Sequence, residues 1–275
     1  MRYIKFKNNI VITLMLMLLL LLSAYLPANG AYGGIDMPSP VSSPVNAGYL
    51  YAEVDSSINS YGHMGLDFAA PSSTSVYATF GGKVVTKADL GNTSYGKYLI
   101  IESTHPLYPT TKFYHLYAHL SDYSQVTLNQ TVTKGQLIAK SGNSGGVGAH
   151  LHYETRMGSN SWYSQRNPEG LLKRSTSDGY GAVRGKVLTS TGAWARKIRV
   201  AGATKGTDTN YGASYSYHLM ANNSAFPDEA AYGINYYIAR VRTGTVTLNY
   251  NYSARTQSVS IPANGEVLAS NVTLP

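Results

Sequence analysis

The chain has 275 residues, with 22 Lys and Arg against 14 Asp and Glu, and it contains no cysteine. The lack of cysteine excludes disulfide bonds, cysteine-ligated metals, a thiol nucleophile and a lipoprotein anchor. The formal net charge of +8 suits contact with anionic surfaces, but no block of Lys and Arg is interleaved with aromatic residues. We therefore expect no nucleic-acid partner.

The first thirty residues are predicted to be a secretory signal peptide. MRYIKFK is positively charged, IVITLMLMLLLLLSAYL is apolar, and PANGA supplies small residues for cleavage near Gly30 or Ala31. The alternative is an uncleaved anchor, because the run from Ile10 to Leu26 approaches the roughly 17 residues that can span a bilayer. No positively charged stop-transfer flank follows it, so we expect a cleaved, secreted protein with no lasting membrane span.

The remainder of the chain is typical of an all-β protein. Short β-rich runs are bounded by Gly, Asn, Ser and Pro, and no long segment has a 3.6-residue apolar period. These runs are SVYATF, GKVVTKADL, KYLIIES, TKFYHLYAHL, QLIAKSG and HLHYETRM. The polar stretch KRSTSDGYG, residues 173–181, is predicted to be a linker. About seven further short strands in residues 182–275 predict a small β-sandwich as a second domain.

Histidines are concentrated in the first of these two parts. Five of the seven lie in the segments YGHMGLDFAAP, FYHLYAHLSD and GAHLHYE. If GAHLHYE is a strand, His150 and His152 share one face, and Leu151 points to the other face and an apolar core. A catalytic zinc site needs three His, Asp or Glu ligands and one open position, and His63, Asp67 and one histidine of the HLH pair supply such a set. These residues alone leave open which of the pair binds the metal.

Such a site would serve hydrolysis. One carboxylate beside two neutral imidazoles leaves a positively charged metal centre, which lowers the pKa of its water to near 7 and polarises a carbonyl group. The remaining histidines can then transfer protons or stabilise an oxyanion.

The order of HMGLD, YAHLS and GNSGG followed by AHLHYE resembles the lysostaphin and LytM group of zinc metallopeptidases. These are peptidoglycan endopeptidases with an HxxxD and HxH signature. The resemblance covers roughly Pro38 to Leu172 and includes VYATFGGKVV, GKYLIIES, VTKGQLIAKSGNSG and NPEGLL, which are similar to that family's strands and turns. It implies a LytM-type antiparallel β-sheet with a substrate groove, as a zinc metalloendopeptidase domain over residues 31–172.

The resemblance also implies a role for each site residue. His63, Asp67 and His152 would bind one Zn²⁺ per chain, and His119 and His150 would form the catalytic pair. The implied function is a monomeric, secreted, cell-wall-associated enzyme that hydrolyses peptide bonds in peptidoglycan stem peptides or cross-bridges by attack of zinc-bound water. Two alternatives remain: a non-catalytic LytM-like wall-binding or amidase-regulating module, and an exported bacteriolysin that acts on foreign walls.

The other histidines are predicted to lie outside the metal site. On a strand, His115 would share a face with His119 but lie about 13 Å from it, too far for the same metal shell. We expect His115 to be a rim or packing residue. The less favoured alternative is that it lines the substrate groove. His105 is predicted to lie in a loop, and His218 on the surface or in the packing of the second domain.

The second domain offers a weaker resemblance. VRGKVLTSTG and TVTLNYNYSARTQSVSIPANGEVLASNVTL resemble carboxypeptidase regulatory-like, transthyretin-like β-sandwich domains. One hypothesis is an accessory module that contacts wall polymer or glycan through Arg196, Lys197, Arg199 and the tyrosines of NYNYS and INYYIA. The other is a folded spacer whose tyrosines only occupy strand faces.

Overall fold

The structure is a computed structural model. It describes residues 37–42, 51, 63–106, 108–162, 164–172, 180–195, 198–202, 213–215, 234–251, 254–263 and 265–275. The predicted signal peptide, residues 173–179 of the predicted linker, His218, Arg196 and Lys197 lie outside the described residues. Within the described ranges, no helix has both the length and the apolar character needed to cross a membrane.

The described residues form an almost entirely β structure, as expected. The first part contains β1 (Leu66–Phe68), β2 (Ser75–Tyr77), β3 (Gly82–Asp89), β4 (Lys97–His105), β5 (Tyr108–Ala118), β6 (Leu120–Asp122), β7 (Thr131–Val132), β8 (Leu137–Ser141), β9 (Leu151–Met157), β10 (Gln165–Arg166) and a 3₁₀ turn at Pro168–Gly170. The second part contains β11 (Tyr180–Gly185), β12 (Val187–Leu188), β13 (Arg199–Gly202), β14 (Ala213–Tyr215), β15 (Tyr236–Arg242), β16 (Gly244–Tyr250), β17 (Arg255–Ile261), β18 (Glu266–Leu268) and β19 (Val272–Thr273).

A seven-stranded sheet organises the first part. Its order is β1-β9-β5-β4-β3-β7, with β10 also paired to β9. Its pairings are all antiparallel. A smaller sheet, β2-β8-β6, accompanies it. The six runs read as strands in the sequence correspond to β2, β3, β4, β5, β8 and β9, whereas β1, β6, β7 and β10 are too short to show an alternating pattern.

One face of the large sheet covers the main hydrophobic core. Leu99, Tyr117, Leu151 and Tyr153 are fully buried there, so Leu151 points into the core as alternation along β9 predicts. Met37 also belongs to this core, and its backbone nitrogen donates to the carbonyl oxygen of Leu171 at 3.1 Å. Segments that precede and follow the sheet in the chain therefore belong to one folded unit with it.

Strands β11 to β19 enclose a second core. Val183 and Ile238 from the β15-β11-β18 sheet pack with Val200 and Leu248 from the β14-β13-β16-β17 sheet. Two sheets that share one core form a sandwich, as predicted for this half of the chain. Strand β11 begins at Tyr180, so the last two residues of the predicted linker already belong to a strand.

Of the four tyrosines proposed to contact glycan, Tyr252 lies outside the described residues. Tyr236 and Tyr250 belong to the second core, and Tyr237 packs in a smaller cluster with Ala182 and Ile234. Tyr236, Tyr237 and Tyr250 are fully buried. The hypothesis that these three side chains contact a wall polymer is therefore wrong, because they are buried and not available at the surface.

His115 is part of the main core rather than the rim of a groove. It is 1% exposed, and its Nε2 and Nδ1 atoms lie 2.9 Å from Ser103 Oγ and 3.0 Å from the Tyr153 hydroxyl. The Tyr153 hydroxyl also contacts Thr79 Oγ1 at 2.9 Å. Burial without a neighbouring carboxylate lowers the pKa of His115 to about 3, so the imidazole is neutral in the folded protein.

This burial predicts a dependence of folding stability on pH. In the unfolded chain the pKa of His115 returns to about 6.5, so the unfolded state gains a proton that the folded state excludes until about pH 3. Stability contributed by neutral His115 is complete above pH 6.5 and is lost as the pH falls, by about 1.4 kcal/mol per unit at most. Between pH 7 and pH 5, the wild type should lose about 2 kcal/mol more than His115→Gln in urea unfolding.

The control for this experiment is His105→Gln. His105 is the last residue of β4 and not a loop residue as predicted. Burial, followed by the charge of Lys134, lowers its pKa, but unlike His115 its side chain is partly exposed. His105→Gln should keep most of the wild-type dependence on pH. Equal slopes for the wild type and His115→Gln would show that His115 is not a buried neutral group.

Candidate metal centre

The register of three strands brings the acidic residue of HMGLD to the histidines of GAHLHYE. Asp67 in β1 pairs directly with His152 in β9, and Ala118 in β5 pairs with His152 on the opposite side. Directly opposed residues in an antiparallel pair have Cβ atoms about 4.5–5.5 Å apart. Gly65 permits the close approach of β1, because a Cβ there would lie 2.3 Å from the backbone oxygen of Tyr153.

Three donor atoms converge at this point. His63 Nε2 lies 3.2 Å from Asp67 Oδ1 and 3.0 Å from His152 Nδ1. His152 Nδ1 lies 2.9 Å from Asp67 Oδ1. All three residues are buried, at 9%, 5% and 5% exposure for His63, Asp67 and His152.

This cluster fits a zinc ion. Tetrahedral zinc with bonds of about 2.0–2.1 Å holds its donor atoms roughly 3.3 Å apart. The donor separations of 2.9–3.2 Å are close to that edge length. Two imidazoles and one carboxylate are also a donor set that zinc prefers. The structure therefore brings together the three residues that were predicted to be ligands.

The electrostatics of the cluster keep its carboxylate ionised. Burial by itself would raise the pKa of Asp67, but the adjacent His63 and the hydrogen bonds from His152 and His63 outweigh burial and hold the pKa well below its usual range. An ionised carboxylate is the form that ligates a metal.

His119 lies beside this cluster but outside strand β5. The strand ends at Ala118, and His119 has a φ of 60°. The expectation that His119 continues the strand in line with His115 is therefore wrong, because this left-handed turn redirects its side chain. The His119 ring lies 4.6 Å from the His150 ring and 5.8 Å from the His152 ring, measured between centroids.

A glycine-rich loop holds His119 in place. His119 Nδ1 lies 2.9 Å from the backbone oxygen of Ser144. Gly145 has a φ of 90°, and a Cβ there would lie 2.4 Å from the backbone oxygen of Ser94 and 3.1 Å from His119 Nδ1. The glycines of SGNSGGVGA thus allow backbone to approach His119 closely.

Backbone carbonyl oxygens hold His119 and His150 in the same tautomer. His150 Nδ1 lies 2.7 Å from the backbone oxygen of Gly148. A carbonyl oxygen only accepts hydrogen bonds, so Nδ1 carries the proton in both rings and Nε2 keeps a lone pair when the ring is neutral. Burial, with smaller contributions from His152 and His150, lowers the pKa of His119 to about 4. His150 Nε2 lies 3.6 Å from Asp67 Oδ1, at the edge of the cluster.

Sequence reasoning missed a second group of polar residues next to the cluster. Glu154 Oε1 lies 3.2 Å from His152 Nε2 and accepts a hydrogen bond from the Tyr95 hydroxyl, and Glu154 Oε2 accepts one from Arg156 Nε at 2.8 Å. The signal was present in HLHYETR, because His152, Glu154 and Arg156 alternate along β9 and so share a face. Tyr95 could not be found in this way, since a distant loop carries it.

Comparisons with known proteins match part of this chain to a family of peptidases. Residues 61–164 match the model of peptidase family M23. A stretch of 96 residues, 34% of this chain, is 38% identical to the DD-carboxypeptidase/endopeptidase Mpg of Neisseria meningitidis serogroup B, and an equal match exists in Neisseria gonorrhoeae. The chain spans only 20% of the length of these relatives.

Solved structures of peptidases are also similar to part of the chain. The catalytic domain of lysostaphin from Staphylococcus simulans is 30% identical, with 44% of this chain and 86% of that chain covered and a TM-score of 0.38. A mutant catalytic domain of the prophage-encoded M23 protein EnpA from Enterococcus faecalis is 25% identical, with 48% and 95% covered and a TM-score of 0.40.

The matched residues 61–164 include all five predicted site residues and six of the seven strands of the large sheet, all but β10. The chain therefore contains a LytM-type domain of peptidase family M23.

Proposed function

We propose that this protein is an exported zinc-dependent endopeptidase that hydrolyses peptide bonds in peptidoglycan stem peptides or cross-bridges. The observation that carries the proposal is the set of donor atoms on His63, Asp67 and His152, 2.9–3.2 Å apart, with two further histidines beside it. The family match and the name of the Neisseria relatives, DD-carboxypeptidase/endopeptidase, support the substrate class.

Zinc bound by His63, Asp67 and His152 would supply Lewis acidity and lower the pKa of water to near 7. The protein's own contribution is to fix the ligands and to provide proton-transfer groups at their edge. His119 and His150 present Nε2 atoms because their Nδ1 atoms are engaged by backbone carbonyl oxygens. These two histidines suit the roles of general base and general acid.

His119 and His150 can carry the proton that the hydrolysis transfers. Nε2 of one histidine accepts a proton from the attacking water as its oxygen forms a bond to the scissile carbonyl carbon. The resulting imidazolium can donate a hydrogen bond to the developing oxyanion or pass the proton to the leaving amine as the C–N bond breaks. The products are a carboxylate and a new amino terminus.

The relatives' name includes two activities, and the products distinguish them. An endopeptidase creates a new amino terminus within a stem peptide or a cross-bridge, whereas a carboxypeptidase releases a terminal amino acid. A non-catalytic LytM-like module would yield neither product, but the complete set of ligands and proton-transfer groups favours an enzyme. Mass spectrometry of soluble products from purified peptidoglycan tests all three.

Zinc binding should depend on the three clustered residues. We expect about one zinc per purified chain and a loss of affinity of more than about 100-fold in His63→Ala or His152→Ala, because even a partner that only hydrogen-bonds to a ligand is worth about 10–100-fold. Elemental analysis and chelator competition measure this. His105→Ala is the control and should keep its zinc; a wild type that binds no zinc would contradict the proposal.

Activity should separate from metal binding at the other two histidines. His119→Ala and His150→Ala should retain zinc. They should lower kcat for the release of soluble fragments from peptidoglycan by about 10²–10⁴-fold, the usual contribution of a general acid or base. Zinc content and initial rates measured on the same samples make this comparison. Full activity in both variants would remove these residues from the mechanism.

A further inference from the structure

Glu154 is a fully buried carboxylate on the strand that carries His152. It is 0% exposed, and an ionised carboxylate is costly to bury unless it is paired and hydrogen-bonded. Its two oxygens together contact His152, Arg156 and Tyr95. The charge is therefore fully partnered, and one of its partners belongs to the candidate metal centre.

The contact with His152 involves the ring nitrogen that faces away from the cluster. His152 Nδ1 lies with His63 and Asp67, whereas Nε2 lies 3.2 Å from Glu154 Oε1. In the neutral ring, a carboxylate that accepts a hydrogen bond from Nε2–H leaves the lone pair on Nδ1 and fixes the ring plane. Both effects favour a metal on the Nδ1 side.

Three contacts hold Glu154 and its neighbours in one arrangement. Arg156 Nε lies 2.8 Å from Glu154 Oε2, while Nη1 and Nη2 donate to Asn160 Oδ1 at 2.9 Å and the Tyr95 hydroxyl at 3.2 Å. The Tyr95 ring also packs 5.8 Å from the His152 ring, between centroids. Tyr95 therefore contacts both the carboxylate and the ring that it orients.

We propose that Glu154 is a positioning residue that holds His152 ready for metal binding, with Arg156 and Tyr95 as the groups that hold Glu154. The proposal rests on the proposed function, because it assigns His152 as a zinc ligand. Glu154 touches neither substrate nor metal in this role. Its effect is on the free energy of zinc binding.

The second domain offers a matched control. There Arg184 Nε lies 2.8 Å from Glu266 Oε1, and the Tyr237 hydroxyl donates to Glu266 Oε2 at 3.1 Å. This Arg–Glu–Tyr group resembles the first in chemistry, but no candidate metal ligand is among its members. Substitutions of Glu266 or Tyr237 therefore measure how much stability is lost when an Arg–Glu–Tyr group without a candidate ligand is disturbed.

The experiment measures zinc affinity and thermal stability on the full chain for Glu154→Gln, Tyr95→Phe, Glu266→Gln and Tyr237→Phe. We expect Glu154→Gln to raise the zinc Kd by about 10–100-fold, the usual effect of removing a ligand's hydrogen-bond partner, and Tyr95→Phe to raise it several-fold. The two control variants should lower Tm and leave the zinc Kd unchanged. Ring N–H spectra of zinc-loaded protein should show altered His152 Nε2–H signals only in the first pair.

Tyr95→Phe keeps the experiment decisive if Glu154→Gln fails to fold, because it removes one hydroxyl and leaves the Glu154–Arg156 ion pair intact. Unchanged zinc Kd values in folded Tyr95→Phe and Glu154→Gln, with only Tm lowered, would overturn the positioning role and leave the proposed function standing. A wild type without zinc affinity would overturn both.

Discussion

The antiparallel register of β9 between β1 and β5 is the constraint on which the candidate site depends. It places Asp67 directly opposite His152 on one side and Ala118 on the other. Side chains alternate along a strand, so a shift of one residue in either pairing would turn His152 away from Asp67 and towards the core. The buried apolar neighbours in the register, such as Leu66 and Leu151, resist such a shift because it would expose them.

The same alternation places the candidate metal ligand and the core residue on opposite faces of β9. His152 and Glu154 lie on one face of β9, and Tyr153 lies between them on the other, where its hydroxyl joins His115, Thr79 and Thr155 in a buried network. Each of these polar atoms has a partner, so the network satisfies its hydrogen bonds within the core. Among the described residues, the ring nitrogens of His115 contact the hydroxyl groups of Ser103 and Tyr153, whereas those of His152 contact the carboxylates of Asp67 and Glu154.

The position of His119 depends on a backbone turn and not on strand pairing. His119 reaches the cluster because the chain turns at a positive φ directly after β5, and the carbonyl oxygen of Ser144 then fixes its ring. The backbones at Gly96 and Gly145 lie too close together to leave room for a Cβ. A Cβ on Gly96 would lie 2.4 Å from the Gly145 nitrogen. The glycine-rich loop therefore fixes the position of His119 beside the cluster.

The sequence by itself determined the longer strands of the first part, the common face of His150 and His152, and the concentration of possible metal ligands, because alternation and residue chemistry are local properties. The residues alone did not choose between His150 and His152, and the choice of His152 came from the family resemblance. Only the tertiary structure decided that His152 faces Asp67, that Tyr95 and Glu154 hold its far side, that His119 leaves its strand, and that Tyr236, Tyr237 and Tyr250 are buried. Each of these depends on pairing or packing between segments far apart in the chain, and no pattern within a single segment encodes such a contact.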